Sequence, residues 1–244
     1  MTTTLSIAKN LRSVHEIISL ACERSGRDIH EATLVAVSKK KPVELILEAV
    51  SLGVQHFGEN RVEEAMTKIP AVNAATDKSI IWHMVGHIQS RKAADIPSLF
   101  SMVHSIDSVK LAKRLSQLVV SQGKELDALL QINISGEATK SGFDAFGWNG
   151  DPEMRTKLWG QIQQCLAIPG INFVGLMTMA PIVSDIEATR PFFAGLAELR
   201  RALEDSLDIS LPELSMGMTD DYPVAIEEGA TMVRIGRAIF GERD

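Results

Sequence analysis

Residues 33–42 read TLVAVSKKKP. Thr33 to Val37 is a short, nearly unbroken apolar run, which suits a strand covered on both faces. Ser38 and three successive lysines, Lys39, Lys40 and Lys41, end that run. Pro42 follows where a helix can begin, and Leu45, Ile46, Ala49 and Val50 supply the helix with an apolar side. The stretch therefore predicts one strand–loop–helix unit.

The same alternation extends in both directions. Upstream, Leu11, Val14, Ile18 and Ala21 recur at helical spacing and predict an extra N-terminal helix. Downstream, strands are predicted at 54–57, 81–85, 102–106, 126–134, 173–177, 213–216 and 231–235. Helical stripes lie between most of them, as in Val62, Ala65, Met66 and Ile69, or Leu111, Ala112, Leu115, Leu118 and Val119. Another helix is predicted around 153–166, a stripe of Phe192, Leu196, Leu199 and Leu203 marks the next, and Tyr222 to Glu228 a short one. Asp107 or Ser108 can cap the helix after the fourth strand, Ser184 and Glu187 can form a capping box, and Asp220 and Asp221 can cap the last short helix. Residues 135–152, with Gly136, Gly142, Gly147, Gly150 and Pro152, predict a long loop. Eight strands separated by helices in a chain of 244 residues favour a closed (β/α)8 TIM-type barrel, one domain over 1–244.

Composition narrows the function classes. The chain is 45% hydrophobic and 5% aromatic, and its net charge is -6. That acidity argues against an extended nucleic-acid or anionic membrane surface. Cys22 and Cys165 make no disulfide framework and fit a reducing compartment. No basic-then-apolar leader and no run near membrane-span length is present, so a cytoplasmic protein is expected.

In a barrel, the C-terminal strand ends line the usual active-site mouth. Lys39 stands nearest the end of the first strand. It reads either as part of a solvated basic turn or as an amine that, partly dried, attacks an aldehyde. Barrels often hold phosphate in the loops after strands seven and eight. There Ser215 offers a hydroxyl, and Gly217 and Gly236 allow close backbone approach; a plain turn is the other reading of Gly217. Arg234 ends an apolar strand and reads as a surface ion pair or as a buried guanidinium in need of a partner. No GxxxxGK[ST] motif and no correctly placed GxGxxG occurs. His56, His83, His87 and His104 lack metal-ligand spacing and read as structural or solvent-facing.

VAVSKKKP at 35–42, HFGENRVEE at 56–64, WHMVGHIQSRK at 82–92, TKSGF at 139–143, GLMTMAP at 175–181 and LSMGMTDDYPVAIEEGATMVRIGRAIFG at 214–241 together resemble the pyridoxal 5'-phosphate homeostasis protein family. Those proteins are relatives of the alanine racemase N-terminal barrel. The resemblance spans nearly the whole chain. It implies pyridoxal phosphate as cofactor, held as an internal aldimine on Lys39. It places Arg234 against the pyridine nitrogen, Ser215 with Gly236 and Arg237 at the phosphate, Gly217 shaping the approach, and Asn60 near the cofactor. Arg61 stands where many relatives carry tyrosine, and Arg91 where many carry asparagine.

An arginine facing the ring nitrogen donates to it and discourages its protonation, which weakens carbanion stabilisation. The related racemases take a tyrosine base from a second domain. This chain has one tyrosine, Tyr222, and no residues left for such a domain. The resemblance thus implies a monomeric carrier without robust turnover, exchanging cofactor with recipient apo-enzymes or free amino acids. The competing readings are an amino-acid racemase or other simple pyridoxal-phosphate enzyme, and an RNA- or protein-binding regulator acting through Arg91 and Lys92 or through the three lysines.

Overall fold

The computed structural model describes residues 6–242. Helix α1 (Ile7–Arg24) leads into β1 (Thr33–Val37), α2 (Val43–Ser51), β2 (His56–Glu59), α3 (Val62–Ala74), β3 (Ile81–Met84), a short α4 (Ile96–Leu99), β4 (Met102–Ile106), α5 (Val109–Ser121) and β5 (Leu126–Asn133). Then come β6 (Phe143–Asp144), α6 (Pro152–Leu166), β7 (Ile171–Met177), α7 (Arg190–Leu207), β8 (Glu213–Met218), α8 (Tyr222–Glu227), β9 (Met232–Ile235) and α9 (Arg237–Phe240). The strands pair in parallel in the order β1, β2, β3, β4, β5, β7, β8, β9, and β9 returns to β1 through Leu34↔Val233 and its neighbours. The result is the closed eight-stranded barrel that the alternating pattern predicts.

Strand residues alternate between two environments. One face packs on the helices and forms the main apolar core, with Ala36, Phe57, Met84, Val103, Leu130, Leu176 and Leu214 fully buried there. The other face points into the lumen. Val35 of β1, Met232 of β9 and Val85, just past β3, pack together there with Val37 and Met102. Elements on opposite sides of the barrel meet in this small cluster, so the interior is filled rather than open.

Helix α1 buries Ile7, Leu11, Val14, Ile18 and Ala21 along one stripe. Each large aliphatic side chain so buried contributes about 1.5–3 kcal/mol. The helix packs on α8 and α9, and Asn10 Nδ2 donates to the Ile239 carbonyl at 2.8 Å. Among the described residues no helix is long and apolar enough to cross a membrane.

Several local expectations need correcting. The second strand begins at His56, because its ladder with β3 starts at His56↔Ile81 and reaches Glu59↔Met84; Val54 belongs to the preceding turn. The long loop after β5 is interrupted by β6, which pairs with the end of β5 through Ile132↔Phe143. Ser108 caps α5, accepting from the Leu111 amide at 3.3 Å. Ser184 and Glu187 form no capping box. Asp185 accepts from the Glu187 amide at 3.0 Å and opens a 3-10 turn, Ile186–Thr189, and α7 starts at Arg190 with Pro191 in its first turn. Asp221 precedes α8, but its carboxylate turns back and accepts from the Met218 amide at 2.6 Å.

Candidate functional site

The alternation that fills the lumen also aims the mouth. Val35 and Val37 face inward, and Lys39 is the next residue of that parity, half-buried just past the strand end. Lys40 is exposed, with a φ of 59° that turns the chain, and the Lys41 amide donates to the Ser38 carbonyl at 3.0 Å. Lys41 Nζ leaves in another direction, to the Glu242 carbonyl at 2.7 Å. On β2, His56 and Gly58 share one face, and Asn60 continues it. Lys39 and Asn60 line one cleft with Lys40, Arg61, Gly86 and His87. The loops after β2 and β3 approach so closely that a Cβ on Gly86 would lie 2.3 Å from the Asn60 carbonyl oxygen.

Residues of the opposite parity hold the lysine loop in place. Ser38 Oγ donates to Glu59 Oε1 at 2.6 Å. Lys68 Nζ, from α3, donates to Glu59 Oε1 and to the Ser38 carbonyl, each at 2.8 Å, and also bridges to Glu64. Glu59 and Lys68 are both buried. Burial pushes the Glu59 carboxyl up, while hydrogen bonds from Lys68 and Ser38 pull it back. Sequence reasoning missed this anchor. The only available signal was a lysine nine residues after a glutamate, across a strand–helix junction.

Beneath the mouth, polar groups form a single row across the lumen. Arg234 is buried, and its Nη1 donates to Ser215 Oγ at 2.6 Å and its Nη2 to the Thr178 carbonyl at 2.9 Å. His104 Nδ1 lies 2.8 Å from the same Ser215 Oγ. His104 Nε2 lies 2.9 Å from His83 Nδ1, and His83 Nε2 lies 2.9 Å from His56 Nδ1. Burial pushes the His83 pKa down to about 3 and holds that of His104 well below the ordinary range. Burial also lowers that of His56, against the pull of Glu213. At neutral pH the row is therefore uncharged up to Ser215. Arg234 is lowered by burial to about 10, partly offset by Asp221, and stays a cation.

The candidate residues thus fall into three places. Lys39 and Asn60 share the cleft. Ser215 and Arg234 meet in the lumen, where the fully buried Ser215 hydroxyl is already engaged by Arg234 and His104 rather than facing the loops. Gly236 and Arg237 lie at the rim. A Cβ on Gly236 would come within 3.1 Å of the Val37 carbonyl, which puts this turn beside the strand that carries Lys39. Arg237 pairs with Asp220 and, at 3.4 Å, with Glu242. Gly217, with φ 89°, has a different local reason. A Cβ there would meet the Ala225 Cβ at 2.6 Å and the Tyr222 Cα at 2.9 Å, so the glycine lets α8 close onto β8.

Both cysteines are buried, and burial raises their thiols, Cys165 to about 11, which leaves neither suited to attack. Among the described residues no group of three or more His, Cys, Asp or Glu could hold a metal ion.

The donor set is an amine at the mouth, a fixed guanidinium below it and a glycine turn with a second arginine at the rim. These fit an aldehyde, a ring nitrogen and a phosphate on one small molecule. Asn60 Oδ1, buried and without a hydrogen-bond partner among the described residues, leaves an acceptor on a residue that shares the cleft of Lys39.

Comparison with known proteins points the same way. Residues 11–244 match the family model for the N-terminal domain of alanine racemase. The chain is 37% identical over 239 residues to the pyridoxal phosphate homeostasis protein of Aquifex aeolicus, covering 98% of this chain and 99% of that one. It superposes on PipY of Synechococcus elongatus, solved with PLP bound, at a TM-score of 0.80 and 32% identity, covering 97% of this chain and 100% of that one. Alanine racemase of Clostridium difficile shares the fold, at a TM-score of 0.68 and 15% identity, covering 96% of this chain and 57% of the longer enzyme.

Proposed function

The chain belongs to the pyridoxal phosphate homeostasis protein family, and on that premise we propose that it holds pyridoxal 5'-phosphate reversibly through Lys39, as a carrier rather than a turnover enzyme. When bound, the cofactor supplies an aldehyde that condenses with a primary amine and is released again by water or another amine. Every other part of the function comes from the chain.

Lys39 presents its amine from the inward face of β1, on a loop that Ser38, Glu59 and Lys68 fix from behind. Arg234, held by Ser215 and Thr178, offers a donor toward the lumen side and stays charged, which disfavours a proton on a ring nitrogen set against it. Ser215 acts by orienting Arg234. The rim at Gly236 and Arg237 takes the phosphate, with Arg237 exchanging Asp220 for the anion. Asn60 closes the cleft side.

The observation that carries this reading is the placement of Lys39 as the continuation of the lumen face of β1. What supports a carrier over a racemase is Tyr222. It is the chain's one tyrosine, and it is buried at the start of α8 against the Gly217 turn, away from the lysine cleft. The same reading takes the protein as a cytoplasmic monomer that passes cofactor to recipient apo-enzymes or free amino acids, with no nucleic-acid role.

The deciding experiment is borohydride reduction of the loaded protein followed by intact mass and peptide mapping. A single pyridoxyl-phosphate tag on Lys39 is expected, absent in Lys39→Ala. A tag on another lysine in fully loaded protein would refute the assignment.

A further inference from the structure

The cleft does not end at Lys39. It runs on between the loops after β2 and β3, past Arg61 and His87 to Arg91 and Lys92. Among the described residues none of the β8 or β9 loops lines this outer part, so it is separate from the rim assigned to the cofactor phosphate.

Its charge is the opposite of the protein's. In a chain of net charge -6, the two adjoining stretches are lined by Lys39, Lys40, Arg61, Arg91 and Lys92. The carboxylates that line them, Glu63 and Glu64, are already committed, Glu63 to Lys92 at 3.3 Å and Glu64 to Lys68. His87 contributes no negative charge and faces Asp107 at 3.2 Å. Arg91 Nε donates to Gln89 Oε1 at 3.1 Å, a neutral partner that orients the guanidinium without discharging it. Arg61 precedes α3, a 13-residue helix whose cap makes no side-chain hydrogen bond, so the positive end of that helix faces the same place. Like charges gathered in a concavity repel one another and focus their field outward, and an anion relieves both effects. Asn60, whose Oδ1 has no partner among the described residues, lines both stretches together with Arg61, whereas Lys39 lines only the inner one and Arg91 only the outer.

We propose that this outer cleft is a carboxylate subsite that receives an α-amino acid. Its carboxylate meets Arg61 and Arg91, and its amino group lies toward Asn60 and Lys39. The inference rests on Lys39 being the attachment point for the cofactor, because only then does an amine delivered there have an aldehyde to exchange with. An amino acid so placed takes the aldehyde carbon from Lys39. The carbon–nitrogen double bond to the incoming neutral amine forms as the one to Lys39 breaks, and both hydrogens of that amine pass to the departing Lys39 nitrogen, so no oxidant or reductant is consumed. The cleft thus makes a free amino acid the preferred recipient of the bound cofactor.

The test has two arms, both with full-length protein. In the first, cofactor-free protein is titrated with N-acetyl-L-alanine, which carries the carboxylate but cannot react, with N-acetyl-L-alaninamide, which lacks the charge, and with inorganic phosphate. Arginine side-chain NMR signals report binding. The carboxylate is expected to shift Arg61 and Arg91, with the amide at least about tenfold weaker, and Arg61→Gln or Arg91→Gln is expected to weaken it about five- to tenfold. In the second arm, loaded protein is mixed with L-alanine or ethylamine and the loss of the borohydride tag on Lys39 is timed. Wild type is expected to favour L-alanine after correction for amine basicity. The double variant Arg61→Gln/Arg91→Gln is expected to lose that preference while keeping full initial tagging. Equal response to carboxylate and amide, tighter binding of phosphate than of carboxylate, or a preference that survives in the double variant would each overturn the proposal. Absence of the Lys39 tag, with carboxylate binding intact, would refute the cofactor reading instead and leave the subsite standing.

Discussion

The lumen and the mouth of this barrel are built from the same strands yet solve opposite problems. In the lumen, His56, His83, His104, Ser215 and Arg234 each find a protein partner within 3.0 Å, and Arg234 is also held by a backbone carbonyl. At the mouth, cations outnumber the carboxylates beside them, and among the described residues the acceptor Asn60 Oδ1 has no partner. A satisfied polar interior is rigid, because every displaced group would be left buried and unpaired. An unsatisfied mouth keeps its bonding capacity for something that arrives. A ligand is thus oriented by the lumen and admitted at the mouth.

The largest effect is expected from Lys39→Ala. Ligand attachment should vanish, seen as complete loss of the visible absorbance of loaded protein, while the urea midpoint of the cofactor-free protein stays nearly unchanged. A midpoint that collapses would make Lys39 a structural residue. Next in size is Lys68→Met, which strands the Glu59 carboxylate in a buried setting. A loss of about 3–5 kcal/mol is expected in urea unfolding, with partial recovery in Glu59→Gln/Lys68→Met.

Acid should then find the lumen before the mouth. His83 has a folded pKa of about 3 against 6.5 for the free side chain. Between those values the unfolded chain binds the extra proton, so stability is intact above about pH 6.5 and falls as pH drops, by about 1.4 kcal/mol per unit for each such histidine. His104 is shifted in the same direction. Unfolding free energies measured from pH 7 to 4 should show this slope, and it should flatten in His83→Asn. Ser215→Ala removes the shared partner of Arg234 and His104, and is expected to cost about 1–3 kcal/mol and to shift the absorbance maximum of loaded protein. The smallest effect belongs to the mouth. Arg61→Gln should change stability by no more than about 0.5 kcal/mol, so a large loss there would erase the contrast between the two regions.

How much of this could be read in the sequence follows the same division. The strands at 33–37 and 102–106 are legible to the residue because apolar runs end sharply at polar loops. Lys39 is legible because its role depends only on its offset from a strand end. The second strand reads two residues early because Val54 is apolar and buried yet lies in the turn. The histidine row was not legible. Its members lie 27 and then 21 residues apart and meet only through register, each stepping two residues along its strand relative to the preceding ladder partner. Ser215 is legible as a residue of the seventh predicted strand, but its contacts with Arg234 and His104 are not, because those partners come from other strands and meet it only across the lumen. The Glu59–Lys68 anchor needs a strand and a helix to be folded together before it exists.

The three imidazoles are linked through their hydrogens. Each neutral ring has one N–H and one bare nitrogen, and each contact joins an Nδ1 to the next ring's Nε2. All three must therefore carry their hydrogen on the same kind of nitrogen, and the row has only two arrangements. In one, Ser215 gives its hydrogen to His104; in the other, it receives one, and its own is released toward the space above. The choice made by a solvent-touched ring at the base of the barrel and the hydroxyl's behaviour beside Arg234 are a single shared variable, so reversing one end reverses the other.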